Sequence, residues 1–131
     1  MGAKLTENQV ATIVVDAAFK VHTTFGPGLL ESVYEAALEL ELKSLGLRVD
    51  KQRGIPVFYN EVNLDVGFRC DLIVEGIVVV EIKSLEHVPP VAYKILRTYL
   101  RLTGLHLGLL INFNEVLIKD GIKRVVDNLP E

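Results

Sequence analysis

Ile77-Val78-Val79-Val80-Glu81-Ile82-Lys83 is the stretch that decides the fold. It is β-branched and nearly all apolar, the composition of a strand buried on both faces in the middle of a sheet. Glu75-Gly76 turns the chain just before it. Upstream of that turn, Val62–Val74 alternates with period two: Leu64, Val66, Phe68, Cys70 and Leu72 against Asn63, Asp65, Gly67, Arg69 and Asp71, which predicts a second strand. Asn60-Glu61 marks another turn, and Leu47–Tyr59 reads as the first strand, with Pro56 at an edge position or a bulge. Downstream, Pro89-Pro90 opens a helix that ends before Gly104, with Ala92, Ile95, Leu96, Tyr99 and Leu100 as its buried stripe. Leu105–Phe113 is a further apolar strand. A strand–helix–strand step crosses over right-handed, which makes it parallel to Ile77–Lys83. Asp120-Gly121 between Val116–Lys119 and Ile122–Val126 is a hairpin signal.

Two helices precede the strands. Thr6 with Gln9 forms a capping-box pattern, and Val10, Ile13, Val14, Ala17, Ala18 and Val21 follow at helical spacing. Phe25-Gly26-Pro27-Gly28 breaks that helix. The second runs to about Leu45, with Leu30, Val33, Tyr34, Ala37, Leu38 and Leu45 on its apolar side and Gly46 as its stop. The order α, α, β, β, β, α, β with a short β-rich tail predicts an α/β fold. It is a three-layer α/β/α core (αβββαβ) with a mixed β-sheet, helices on both faces and an extra N-terminal helix. At 131 residues, the chain reads as one domain, 1–131.

Hydrophobic residues make up 50% of the chain and charged residues 24%, which excludes a disordered polar segment. The apolar excess fits a doubly covered sheet, an oligomer interface, or both. A homo-oligomer is expected, hiding Leu105, Leu107, Leu109 and the tail hairpin near a sheet edge. The net charge of −3 counts against a constitutive nucleic-acid binder, without excluding an enzyme that meets a phosphodiester through a metal. The single cysteine, Cys70, allows neither an internal disulfide nor a cysteine zinc site, so a reducing, cytoplasmic compartment is expected. No stretch approaches the ~18–20 apolar residues of a membrane span. Met1-Gly2-Ala3-Lys4-Leu5 has no apolar core of a secretion signal.

The chemical oddity lies in the opening stretch itself. Glu81 and Lys83 interrupt an otherwise apolar run, and residues i and i+2 of a strand emerge on one face. Burying both charges is costly unless they pair or act. Asp71 sits ten residues earlier on the neighbouring strand. A three-residue loop after Val74 would place it across from Glu81; a two-residue loop would pair it with Val80 and undo the cluster. In the first register, Asp71 and Glu81 make a hard oxygen site for Mg²⁺ or Mn²⁺, and Lys83 is a compact cation beside it. Two carboxylates so close would repel, raising one pKa. In the alternative reading, Glu81 and Lys83 only end a strand at the surface. Cys70 should face away from Asp71 as a small core residue, and His22, His87 and His106 form no metal set.

The D-x9-E-x-K spacing of Asp71, Glu81 and Lys83 within αβββαβ resembles the PD-(D/E)XK phosphodiesterase superfamily. Gly28-Leu29-Leu30-Glu31-Ser32-Val33-Tyr34 reads G-x-x-E-x-x-Y. With Val21-His22, Gly26-Pro27-Gly28, Arg69–Gly76 and Leu109–Phe113, it is similar to the GxxExxY family of that superfamily, over roughly Val10 to Leu129. The resemblance implies a restriction-endonuclease-like core with sequential strand order. It implies Asp71, Glu81 and Glu31 as metal ligands and Lys83 as the catalytic lysine. It implies Tyr34 and Tyr99 as substrate contacts, to which Lys94 of the third helix is added as a candidate, although Tyr34 fits a core aromatic equally well and Glu31 could simply favour the helix dipole. Gly28 would leave room beside the site.

The implied function is a metal-dependent phosphodiesterase using Mg²⁺ or Mn²⁺ on nucleic acid, DNA ahead of RNA. One departure stands out: where relatives carry Gln in a Q-x-x-x-Y pattern on the third helix, this chain has Ile95 before Tyr99, and Ala92 where a His is typical. Lys94, Arg97 and Arg101 lie near one another on that helix, as a solvated basic face or as replacement phosphate contacts. The alternative function is a weak or inactive nuclease fold serving as a homo-oligomeric interaction module.

Overall fold

The computed structural model describes residues 4–130. The reading of Met1–Ala3 as free of a secretion signal lies outside that range, as does Glu131 at the end of the domain assignment. The capping box at Thr6 forms and starts α1, Glu7–Phe25. α2 is Glu31–Ser44, followed by β1 Val49–Tyr59, β2 Val62–Val74, β3 Val78–Lys83, α3 Val91–Thr103, β4 Leu107–Asn112 and β5 Ile122–Val126. The five strands form one sheet in the order β1-β2-β3-β4-β5. Only β3 and β4 run parallel; the other neighbours are antiparallel. The fold is therefore the expected α/β class, a mixed sheet between helical layers, and the β-branched β3 is its central strand. Pro56 sits where it can do least damage: β1 is an edge, and its register slips between Pro56 and Phe58.

The sheet has two apolar faces. On one, Leu72, Val74, Val78, Val80, Ile82, Leu107, Leu109 and Ile111 meet α1 and α2. On the other, Ile73, Val79 and Leu110 meet Ala92, Leu96 and Leu100 of α3. α3 sits down on β4 at Gly108, where a Cβ would come within 2.8 Å of Leu96 Cδ1.

Two expectations are corrected. The Val116–Val126 hairpin does not form: Ile118–Gly121 winds into a 3-10 turn and only Ile122–Val126 is a strand, paired with β4. Ile118 is buried in the α1/α2 core, and Gly121 lies so close to the carbonyl of Asn112 that no Cβ would fit. That burial competes with two-residue hairpin geometry and wins. Secondly, Leu107 and Leu109 are not near an open edge. β5 covers β4, and both leucines are buried. Exposed apolar side chains include a group on the β1–β2 hairpin, at Phe58, Tyr59, Val62, Leu64 and Val66, besides others such as Leu30, Leu40 and Val116. Among the described residues, no helix is long and apolar enough to cross a membrane.

Candidate active site

Three pairs join β2 to β3: Val74 with Val78, Ile73 with Val79 and Leu72 with Val80. The turn between them holds three residues, Glu75-Gly76-Ile77, which is the register that brings Asp71 across from Glu81. There the backbone ladder stops and side chains replace it. The Asp71 N–H donates to Glu81 Oε2 at 2.9 Å, and the Ile82 N–H donates to Asp71 Oδ2 at 2.8 Å. Each carboxylate takes an amide that the parting strand leaves without a carbonyl partner.

Alternation along β3 carries Glu81 and Lys83 to the α3 side. Both line a pocket of about 190 Å³ with Ala92, Ile95, Leu96 and Tyr99. Lys83 makes no ion pair among the described residues. On β2 the alternation fails. Leu72 belongs to the α1/α2 core and Ile73 to the α3 core, yet Cys70 is again in the α3 core. Cys70 therefore does not take the face that strict period two assigns to it. The break coincides with a gap in the β1–β2 ladder, which pairs Lys51 with Leu72 and Arg53 with Cys70 but skips Gln52 and Asp71. Gln52 there adopts φ +51°, a left-handed conformation unusual for a non-glycine residue.

Gln52 turns its amide into the site. Its Nε2 donates to Glu35 Oε1 at 2.7 Å and Oε2 at 3.0 Å, and to Asp71 Oδ1 at 3.2 Å. Glu35 is buried on α2. Neither residue stands out in the sequence reading, although signals exist: Glu35 follows Tyr34 on the apolar side of α2, and Gln52 is the β1 position opposite Asp71.

The electrostatics follow from this geometry. Burial, and then the negative charge of Asp71, push the Glu81 carboxyl up to about 7. Burial, then Glu81 and Asp71, push the Cys70 thiol up to about 12, so it stays protonated and unreactive. Tyr99 is also raised, by burial first and by Glu81, Cys70 and Asp71 after it.

The other expected site residues are placed differently. Tyr99 lines the Glu81–Lys83 pocket and stacks on Phe68 at 4.2 Å. Lys94 is exposed on α3 and does not line that pocket. Tyr34 is fully buried, stacks on Phe113, donates its hydroxyl to the Gly26 carbonyl and accepts from the Leu29 N–H. It is thus closed to a substrate and anchors the loop before α2. Gly28 has open space around it within that loop. Glu31 is exposed at the start of α2 and accepts from the Ser84 N–H at 3.4 Å. One turn further along α2, Glu35 is the carboxylate that Gln52 ties to Asp71.

The family model of the PD-(D/E)XK nuclease superfamily matches residues 8–125. The chain belongs to the PD-(D/E)XK nuclease superfamily. Neither a curated protein nor a solved structure matches it. Nucleases of the superfamily generally use divalent metals such as Mg²⁺. Among the described residues, no three histidine, cysteine or acidic side chains are gathered as a ready metal site. The donor chemistry nevertheless fits Mg²⁺, which keeps several waters and needs only one or two carboxylates from protein. Asp71 and Glu81 supply two, and burial beside Asp71 leaves Glu81 disfavoured as an anion, a cost that a cation relieves.

Proposed function

We infer that the chain is a metal-dependent phosphodiesterase of the GxxExxY family that hydrolyses nucleic acid, DNA ahead of RNA. Asp71 and Glu81 would hold Mg²⁺ or Mn²⁺, and Lys83 would be the catalytic lysine. The observation that carries this reading is the reciprocal contact of Asp71 and Glu81 where β2 leaves β3, with Lys83 on Glu81's side of β3. A bound divalent ion would polarise a water and neutralise charge on a phosphoryl oxygen. Lys83, which makes no ion pair among the described residues, supplies a cation where negative charge builds on the scissile phosphate. Tyr99, stacked on Phe68, lines the pocket, and exposed Lys94, Arg97 and Arg101 on α3 would draw a polyanion toward it. The reading includes a reducing, cytoplasmic setting and a homo-oligomer, the exposed β1–β2 hairpin being the surface that needs cover.

A second reading, a nuclease fold kept as an interaction module, is favoured by Ile95. It puts an apolar side chain in the pocket beside Glu81 and Lys83, where a polar one would hold a phosphate or the lysine. Calorimetric titration of Mn²⁺ into wild type and Asp71→Ala, with a cleavage assay on single- and double-stranded DNA and on RNA, separates the two. Metal binding lost in Asp71→Ala together with metal-dependent cleavage supports the enzyme. Absence of cleavage with every divalent ion favours the module.

A further inference from the structure

Gln52 adds a polar link between two elements that otherwise meet through apolar packing. Its single amide nitrogen reaches Glu35 on α2 and Asp71 on β2, at 2.7 and 3.2 Å. Both hydrogen bonds made to the Glu35 carboxylate among the described residues come from it. An amide has two N–H donors, so one serves each carboxylate, and the opposite orientation of the amide would set its oxygen against two acceptors. To reach both, the backbone at Gln52 takes φ +51° and the β1–β2 ladder opens at this position. A non-glycine residue held in that region by its surroundings is a recurrent mark of a functional constraint.

The chemistry of the bridge is selective. Glu35, Asp71 and Glu81 are three carboxylates around the parting of β2 and β3, with Glu35 and Glu81 both buried. A lysine or arginine at position 52 would tie Glu35 to Asp71 equally well, but would cancel the negative charge that a divalent cation needs. A neutral amide orients the carboxylates and leaves their charge intact. We propose that Gln52 is a positioning residue for the metal site: by bridging Glu35 to Asp71 it fixes the Asp71 carboxylate while keeping the site anionic.

The proposal rests on the reading that Asp71 and Glu81 hold a divalent cation, and its test uses the full chain and Mn²⁺ alone. Two variants divide the roles of side chain and backbone. Asn adopts left-handed φ more readily than Gln but is one methylene too short to span both carboxylates, so Gln52→Asn keeps the turn and removes the bridge. Gln52→Lys keeps a donor for both carboxylates and adds a positive charge. Calorimetry of Mn²⁺ binding, paired with the melting temperature of each metal-free protein, is the measurement. Removing an outer partner of a metal ligand typically weakens affinity ~10–100-fold. That loss is expected for Gln52→Asn, and a larger one for Gln52→Lys even though it is the more stable of the two.

A lower melting temperature with unchanged Mn²⁺ affinity in Gln52→Asn would show a purely structural bridge and overturn the proposal. So would wild-type affinity in Gln52→Lys. If Gln52→Lys does not fold, Gln52→Asn alone decides. Wild type that binds no Mn²⁺ removes the metal-site reading itself, and this proposal with it, a result plainly different from unchanged binding in the variants.

Discussion

Tyr34 and Phe113 lie face to face, ring centroids 4.6 Å apart and planes 9° from parallel. This stack ties α2 to the residue after β4, and Phe113 in turn donates its N–H to the Lys83 carbonyl at 2.9 Å. The Tyr34 hydroxyl adds the Gly26 and Leu29 contacts on the loop before α2. Tyr34→Phe keeps the stack and strips both hydrogen bonds, so it should cost about 1–3 kcal/mol in urea unfolding and leave Mn²⁺ affinity unchanged. A large loss of metal binding with little loss of stability would return Tyr34 to the site.

Lys83 and Glu81 should separate in their effects. Lys83→Ala removes a cation without touching either carboxylate, so Mn²⁺ binding should persist while cleavage falls ~10²–10³-fold. Glu81→Ala should lose both. Cleavage assays and calorimetry on the same preparations make the comparison.

Stability should depend on pH through Glu81. Its carboxyl titrates near 4.5 when unfolded and about 7 when folded. Between those values the native state holds the proton that the unfolded state has lost, so stability falls as pH rises from about 4.5 to about 7 and levels off beyond. The drop is on the order of 3 kcal/mol if the whole shift is realised. Denaturant melts across this range should show it in wild type without divalent ions and not in Glu81→Gln. Mg²⁺ should raise stability most above pH 7, where the carboxylate is free of its proton.

Ile95→Gln should raise activity. Ile95 is 43% exposed, so a polar replacement costs little, within about 0.5 kcal/mol. A new hydrogen bond of about 1 kcal/mol to Lys83 or a phosphate is a roughly fivefold gain in cleavage rate. An unchanged rate in a metal-binding protein would mean that this helix position does not touch the reaction.

Cys70 should resist alkylation at pH 8 in the folded protein and react once the chain is unfolded, because its thiol is buried and held up to about 12. Modification at the rate of a free thiol under native conditions would show that the α3 side opens more widely than its packing indicates.

The order of elements was legible because the strongest local signals agreed with the packing. The β-branched Val78–Ile82 run is central, Thr6 and Gln9 form their reciprocal cap, and Pro56 lies on an edge with a slipped register. The contact of Asp71 with Glu81 was legible as a condition on loop length. What surrounds that contact was not. Cys70 shares the α3 side with Ile73 because period two holds only while strands stay paired, and β2 pairs with β3 only from Leu72 onward. Gln52 is readable only once β1 is aligned with β2, since nothing in Lys51-Gln52-Arg53 announces a left-handed residue. Glu35 is marked by no motif, and its link to Asp71 exists only through Gln52. The tail misread for a simpler reason: Asp120-Gly121 closes a turn over Asn112, not a hairpin.

The two faces of the sheet are unequally insulated. Among the described residues, 21 buried side chains make up the core toward α1 and α2, against eight toward α3. Local opening costs least where the fewest apolar contacts are lost, so hydrogen exchange is expected to be faster in α3 than in α1 and α2. α3 forms one wall of the pocket that holds Glu81 and Lys83. Opening there would widen the pocket at Glu81 and Lys83 while Val78, Val80 and Ile82 keep their strand fixed to the thick layer.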